Sequence, residues 1–241
     1  MPVPRVYLPE AREPGTAIPL PAETARHLRK ALRLEPGAAV TAFDGDGGEL
    51  DGVLVEGDSG PALRLEKRRD TDQESPLETI LWAGLSKGEK MDWVVQKATE
   101  LGVTAIRPVQ TARSVRRLTG AKAAKNQQRW ERIAISACEQ CGRSRLPRIE
   151  PVADLAETLE PGGIPGLVLT GEGAPPPATP PGPPLSLLVG PEGGLTPEEI
   201  AAAEAAGFHA TRLGPRTLRT ETAAIAGLTW AQTLWGDFPG P

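Results

Sequence analysis

The chain has 241 residues, 39% hydrophobic and 24% charged, with a formal net charge of -4 at pH 7. That composition builds a core, and the length suits one large domain or, as expected here, two ordinary ones. No run of about 18 apolar residues occurs anywhere, and the opening "MPVPRVYLPEAREPG" has no apolar stretch, so the expectation is a cytoplasmic protein with neither membrane span nor leader.

In chain order, "AETARHLRKALRLEPG" predicts a short helix in which Arg26, Arg29, Lys30 and Arg33 accompany Leu28, Ala31, Leu32 and Leu34. "AAVTAFD" and "ELDGVLVEG" read as β segments joined by the turn-rich "GDGG", a pattern suited to a small barrel-like domain over residues 1–70. The polar "KRRDTDQESP", from Lys67 to Pro76, reads as a linker. The domain boundaries are accordingly 1–70 and 77–241, with 71–76 between them.

Beyond the linker, helical and strand patterns alternate, the sign of a mainly parallel α/β sheet. "TILWAGL" is a strand. In "KGEKMDWVVQKATELGV" the residues Met91, Val94, Val95, Ala98 and Leu101 keep helical spacing and Gly102 ends the helix. "TAIRPV" is a strand, followed by a basic helix from about Ala121 to Cys141, the strand "LVLTGE" and a proline-rich loop over 173–184 that is unsuited to a sheet. In "LLVGPEGGLTPEEI" a buried strand feeds a helix: Thr196 can cap it, Pro197 suits its first position, and Glu198 and Glu199 complement its dipole. "ATRLG", the loop "PRTLR" and a helix from about Thr220 to Trp235 complete the chain.

Charge is sorted along the chain. From Arg107 to Arg148 eleven Lys or Arg residues face only Glu131 and Glu139, whereas Ile149 to Thr211 holds nine acidic residues and no Lys or Arg. The basic segment is either a nucleic-acid surface or a solvated helix face. Cys138 and Cys141 form a C-x-x-C, a spacing used in redox pairs and half zinc sites. The segment is helical, there is no second cysteine pair, and His27 and His209 are remote in sequence, so plain thiols and no metal are expected.

Three strand ends, "LVLTGE", "LLVGPEGG" and "TRLGPRTLRTETA", each terminate in glycine, and in open α/β sheets ligands bind at the carboxyl ends of strands. Neither a P-loop nor a G-x-G-x-x-G phosphate cradle is present. With "KATELGV" upstream and "CEQCGR" between, these motifs resemble the RsmE family of 16S ribosomal RNA uridine N3-methyltransferases, members of the SPOUT superfamily. "GPEGG" together with "LRTETA" is the specific part of that resemblance, which covers nearly the whole chain. Cys141 stands where family members often carry serine, and the proline insertion after Glu172 is unusually long.

The resemblance implies a PUA-like RNA-binding domain followed by an α/β trefoil-knot domain, usually homodimeric, that binds S-adenosylmethionine. It places the cofactor on Leu169, Thr170 and Gly171, on Gly190, Pro191, Glu192 and Gly193, and on Leu213, Gly214, Thr217 and Leu218. The glycines Gly190, Gly193 and Gly194 would let backbone groups reach the ligand. RNA contacts are expected from Arg5, His27, Arg29 and Arg33, and from Glu139, Gln140, Arg143 and Arg145, the last group having a surface network as its alternative.

The imide N3-H of uracil is a weak acid, so the chemistry asks for a base or for a cation that stabilises the uridinate oxygens. Glu221 and Arg219 are the catalytic candidates. Glu221 reads equally as an ordinary acid in the first turn of a helix, and Arg219 as a phosphate ligand. A noncatalytic RNA-binding assembly factor and a flavodoxin-like enzyme are the rival classes.

Overall fold

The computed structural model describes residues 3–69, 73–115, 117–163 and 165–238. It contains two sheets in two compact units, one of Met1–Glu74 with Cys138–Leu146, the other of Ser75–Ala137 with Pro147–Pro241. A division at 71–76 assigns Cys138–Leu146 to the second domain, whereas its contacts belong to the first unit. Positions 70 to 72 of the expected linker lie outside the described residues.

The first unit is a five-stranded sheet in the order β1-β3-β4-β5-β2. The strands are β1 (Arg5–Tyr7), β2 (Ala17–Pro19), β3 (Ala39–Phe43), β4 (Glu49–Gly57) and β5 (Gly60–Arg69). Only the β1–β3 pair is parallel. Along β4 the buried Leu50, Gly52 and Leu54 alternate with half-exposed residues, the mark of a strand with one face on a core. Val6, Leu8, Leu28, Val40, Leu63 and Leu65 complete that core. The expected short helix forms as α1 (Ala22–Arg26), continued by a wider turn over His27–Ala31.

Lys67 to Arg69 are not linker. They pair with Asp51 to Glu49 at the end of β5, and the strand is hard to recognise there because Glu66 to Arg69 are exposed and apolar alternation stops.

The second unit carries β6 (Thr79–Gly84), α2 (Lys90–Glu100), β7 (Ala105–Gln110), α3 (Gly120–Cys141), β8 (Arg148–Ile149), β9 (Ala153–Asp154) and α4 (Leu155–Thr158). It continues with β10 (Gly166–Ala174), β11 (Leu185–Val189), α5 (Pro197–Ala205), β12 (Phe208–Thr211) and α6 (Thr220–Trp235). The last turn of α3, from Cys138, belongs to the first unit.

The sheet order is β12-β10-β11-β6-β7-β8, with β9 also on β7, and every pair is parallel. Successive strand residues divide between two cores. Leu81, Ala83, Leu187 and Val189 join Val94 and Val95 of α2 and Leu228 of α6, while Trp82, Leu188 and Val168 join Leu155 of α4 and Ala203 of α5. Cover on both faces explains why these strands read as apolar runs without alternation. After β12 at the sheet edge, the chain returns so that α6 packs on α2, β11 and β6. That return brings the loop before α6 beside the loop after β11.

Candidate active site

Parallel pairing puts the carboxyl ends of β6, β10, β11 and β12 along one edge of the second sheet. At Val189 the chain leaves β11, and by Thr196 it is fixed again: the Thr196 hydroxyl accepts from the Glu199 amide at 3.2 Å and the Thr196 amide donates to Glu199 Oε2 at 2.8 Å. This reciprocal cap anchors α5. The intervening loop is braced from behind, since Arg113 Nη1 donates to the carbonyls of Gly193 at 3.1 Å and Leu195 at 3.3 Å, and the Ala112 amide donates to Glu199 Oε1 at 2.7 Å.

Two of the loop's glycines, Gly190 and Gly193, also serve its own packing. A Cβ on Gly190 would stand 3.0 Å from Gly194 C and from Leu195 N, and one on Gly193 would stand 3.0 Å from Arg113 Cβ. Their small size lets the loop fold back on itself and against its brace, so the demand is internal packing before any ligand arrives.

A cleft of about 570 Å³ opens at this edge, within the usual size range of small-molecule sites. It is lined by Gly190 to Leu195, by Thr217 to Thr220, and by Lys90, Leu169, Val189 and Ala223. A recess of about 120 Å³ shares Leu169, Thr217, Leu218 and Ala223 and adds Thr170, Gly171, Arg212, Leu213, Gly214 and Arg216. All eleven residues expected to hold the cofactor therefore line the cleft or its recess, and Arg219 lines the cleft with them.

Glu221 is placed differently. It is not among the lining residues. Its Oε2 is buried, has no hydrogen-bond partner among the described residues and lies 3.9 Å from Lys90 Nζ.

Lys90 was missed by the sequence reading. Its Nζ donates to Glu192 Oε1 at 3.0 Å, and the Lys87 amide donates to the same oxygen at 3.1 Å. Burial works against the Glu192 charge, but hydrogen bonds from Lys90, from its own amide and from Lys87 hold the carboxyl below the usual carboxylate range. A depressed carboxylate pKa favours the folded loop above the ordinary value, and that contribution is lost as pH falls through the lowered one. A signal for Lys90 did exist: a cation as the first residue of a helix opposes the helix dipole, and its presence implies anions nearby.

In the first unit, three of the residues offered to RNA are already engaged. Arg5 pairs with the buried Glu49 at 2.7 Å and donates to the Arg143 carbonyl at 3.0 Å. Arg143, 5% exposed, places Nε and Nη2 on Glu74 Oε2 at 3.0 and 2.8 Å. Glu139 accepts the Tyr7 amide at 3.1 Å, and burial raises its pKa despite that bond. These groups join Cys138–Leu146 to the first sheet, over sequence separations that local patterns do not reveal.

His27, Arg33, Gln140 and Arg145 are exposed, and the half-buried Arg29 pairs with Glu56. The Cys138 thiol is pushed up to about 12 by burial and donates to the Arg145 carbonyl at 3.6 Å. A raised thiol pKa keeps the thiolate form, the nucleophilic one, scarce near neutral pH. Among the described residues no helix is long and apolar enough to cross a membrane.

A family model for an RNA methyltransferase domain matches residues 73–232, and one for an RNA methyltransferase PUA domain matches residues 20–63. Ribosomal RNA small subunit methyltransferase E of Bacillus subtilis is 33% identical over 222 residues, 86% of each chain. The crystal structure of ribosomal RNA small subunit methyltransferase E from Neisseria gonorrhoeae, bound to S-adenosyl methionine, is 40% identical with a TM-score of 0.89, over 98% of this chain and 99% of that one. A methyltransferase from Legionella pneumophila with bound cofactor SAM is 35% identical with a TM-score of 0.90, over 99% and 100%. Similarity of this extent, running through both units and through the loops of the cleft, places the chain in the ribosomal RNA small subunit methyltransferase E family.

Proposed function

We propose that the protein is an S-adenosylmethionine-dependent methyltransferase that methylates N3 of a uridine in 16S ribosomal RNA. The observation that carries this reading is the convergence of the β11 and β12 loops on one cleft, with every residue expected at the cofactor on its walls.

The walls suit that cofactor. Leu169, Val189, Leu195 and Leu218 offer apolar surface to an adenosine, while Glu192, Thr217 and the backbone of Gly190 to Gly194 offer charge and hydrogen bonds to a zwitterionic amino acid. When bound, S-adenosylmethionine supplies an activated methyl on its sulfonium. The chain's own task is to hold the uracil in line with that methyl and manage one proton.

The second unit is read as a SPOUT trefoil knot, supported by the return of α6 from the sheet edge to its centre, and the first unit as a PUA-like RNA-binding domain. The domain assignment 1–70 and 77–241 is retained with Cys138–Leu146 added to the first part. A homodimer is supported by α2 and α6, which pack on each other yet leave Trp93 44% and Leu234 50% exposed. The compartment of ribosome assembly, the cytoplasm, follows from the substrate.

Calorimetry should register S-adenosylmethionine binding without RNA, and mass mapping of treated 16S ribosomal RNA should locate one new methyl on a uracil. Absence of cofactor binding would favour a noncatalytic assembly factor, and a methyl on a ribose would refute the N3 assignment.

For RNA capture the available first-unit groups are His27, Arg29, Arg33, Gln140 and Arg145. Changing both Arg33 and Arg145 to Gln is expected to weaken RNA binding and to lower the salt slope by roughly 0.7–0.9 per lost phosphate contact. S-adenosylmethionine affinity should stay at the parent's value. Unchanged RNA affinity in a filter-binding salt series would make both arginines solvated surface.

A further inference from the structure

Glu221 and Arg219 do not exhaust the charge at the cleft. Lys90, the first residue of α2, lines it, and its ammonium lies near two carboxylates, Glu192 of the loop after β11 at 3.0 Å and Glu221 of the first turn of α6 at 3.9 Å. Lys90 lines the cleft, whereas Glu221 is not among its lining residues and has a buried oxygen, so Lys90 rather than Glu221 is presented to a ligand. An ammonium has three donors. Among the described residues one of them is used, on Glu192, and Glu221 lies beyond hydrogen-bond distance. Arg219, also on the wall, is exposed at the start of α6 with no side-chain cap bond, which suits a phosphate. Lys90 is held from two sides, and a cation fixed in place before reaction stabilises developing charge without reorganising.

We propose that Lys90 is a catalytic residue, the cation that meets the uracil oxygens as the imide ionises, and that Glu192 and Glu221 are its positioning residues. This rests on the N3-methylation reading. In the step, the N3-H bond breaks and its proton passes to water, leaving negative charge shared by N3, O2 and O4. The N3 electron pair then forms the bond to the methyl carbon while the methyl–sulfur bond breaks and its electrons stay on sulfur. Lys90 lowers the cost of the first event by donating to O2 or O4, and Glu221 acts only through Lys90.

The test compares the parent, Lys90→Met and Lys90→Arg on a 16S RNA fragment, alongside the same fragment with 5-fluorouridine, whose imide is more acidic. On uridine, Lys90→Met should lose about a hundredfold in kcat at neutral pH, with its pH profile displaced upward and cofactor affinity by calorimetry close to the parent's. Lys90→Arg should recover part of the loss, and 5-fluorouridine should narrow the gap between Lys90→Met and the parent. Without cofactor, fluorine NMR of the bound 5-fluorouridine RNA should show the imide ionising at lower pH on the parent than on Lys90→Met.

Parental kcat in Lys90→Met would overturn the assignment. So would an equal loss on both RNAs with identical fluorine titrations, which would make Lys90 a brace for the Glu192 loop. A parent protein that binds cofactor but methylates no uridine would instead refute the underlying function.

Discussion

Gly84→Ala is expected to lower S-adenosylmethionine affinity by about 10- to 100-fold and to destabilise the second unit by about 1–3 kcal/mol. Gly84 ends β6, where the sheet edge meets the loop after β11. An added Cβ would stand 2.5 Å from Pro191 N and 2.7 Å from Gly190 C. Both atoms are main chain, so no side-chain rotation relieves the overlap and the loop itself must move. Gly190 and Pro191 line the cleft, and the displacement passes directly into the binding site. Calorimetry with S-adenosylmethionine measures the first effect and thermal unfolding the second. Gly163→Ala, where the nearest atom to the new Cβ would be Glu160 O at 3.8 Å, should match the parent in both. Parental affinity in Gly84→Ala would show that this loop is not part of the cofactor site.

The second large effect lies in the first unit. Glu74→Ala should cost about 2–4 kcal/mol, somewhat less than deleting one partner of a fully buried ion pair, because Arg143 is buried while the Glu74 side chain is 22% exposed. Its carboxylate serves more than Arg143: Oε1 also accepts the amides of Ser144 at 3.2 Å and Arg145 at 3.0 Å. Truncation therefore removes the acceptor for two amides as well as the counter-charge of a side chain 7% exposed. Denaturant unfolding, with hydrogen exchange at the Ser144 and Arg145 amides, checks the prediction. A double change, Glu74→Met with Arg143→Met, should recover part of the loss because the buried guanidinium is gone, while the two amides still lack their acceptor. The same geometry assigns any RNA-binding defect of an Arg143 variant to a loosened first unit. The exposed Arg145 is the position at which charge can be changed without that consequence.

The local elements were legible. Met91, Val94, Val95 and Ala98 lie on the buried face of α2 as their spacing requires, and α6 spans the expected Thr220–Trp235. Thr196 and Pro197 open α5 as expected, with Glu199 closing the cap. Such features are decided within one or two turns, by groups three or four positions apart.

The loops that line the cleft were legible too, because "GPEGG" and "LRTETA" sit at strand ends whose carboxyl edge is the usual binding edge of an open parallel sheet. What the motif did not reveal was the packing inside the loop. Gly190 answers to Gly194 and Leu195, and Gly193 to Arg113 on the segment after β7.

The sequence by itself determined where helices and strands form, which loops carry the cofactor motif and which family the chain resembles. Only the tertiary structure decided which charges remain for function. Arg5 and Arg143 read as RNA ligands until Glu49 and Glu74 are found against them, and Glu221 reads as a catalytic candidate until its buried oxygen is found 3.9 Å from Lys90. Each of these pairs links residues far apart in the chain. Their meeting depends on strand order and on the path of α6, which are set by burying the cores on both faces of the sheet. An ion pair is specified by position in space, and a charge in the sequence carries no mark of its partner.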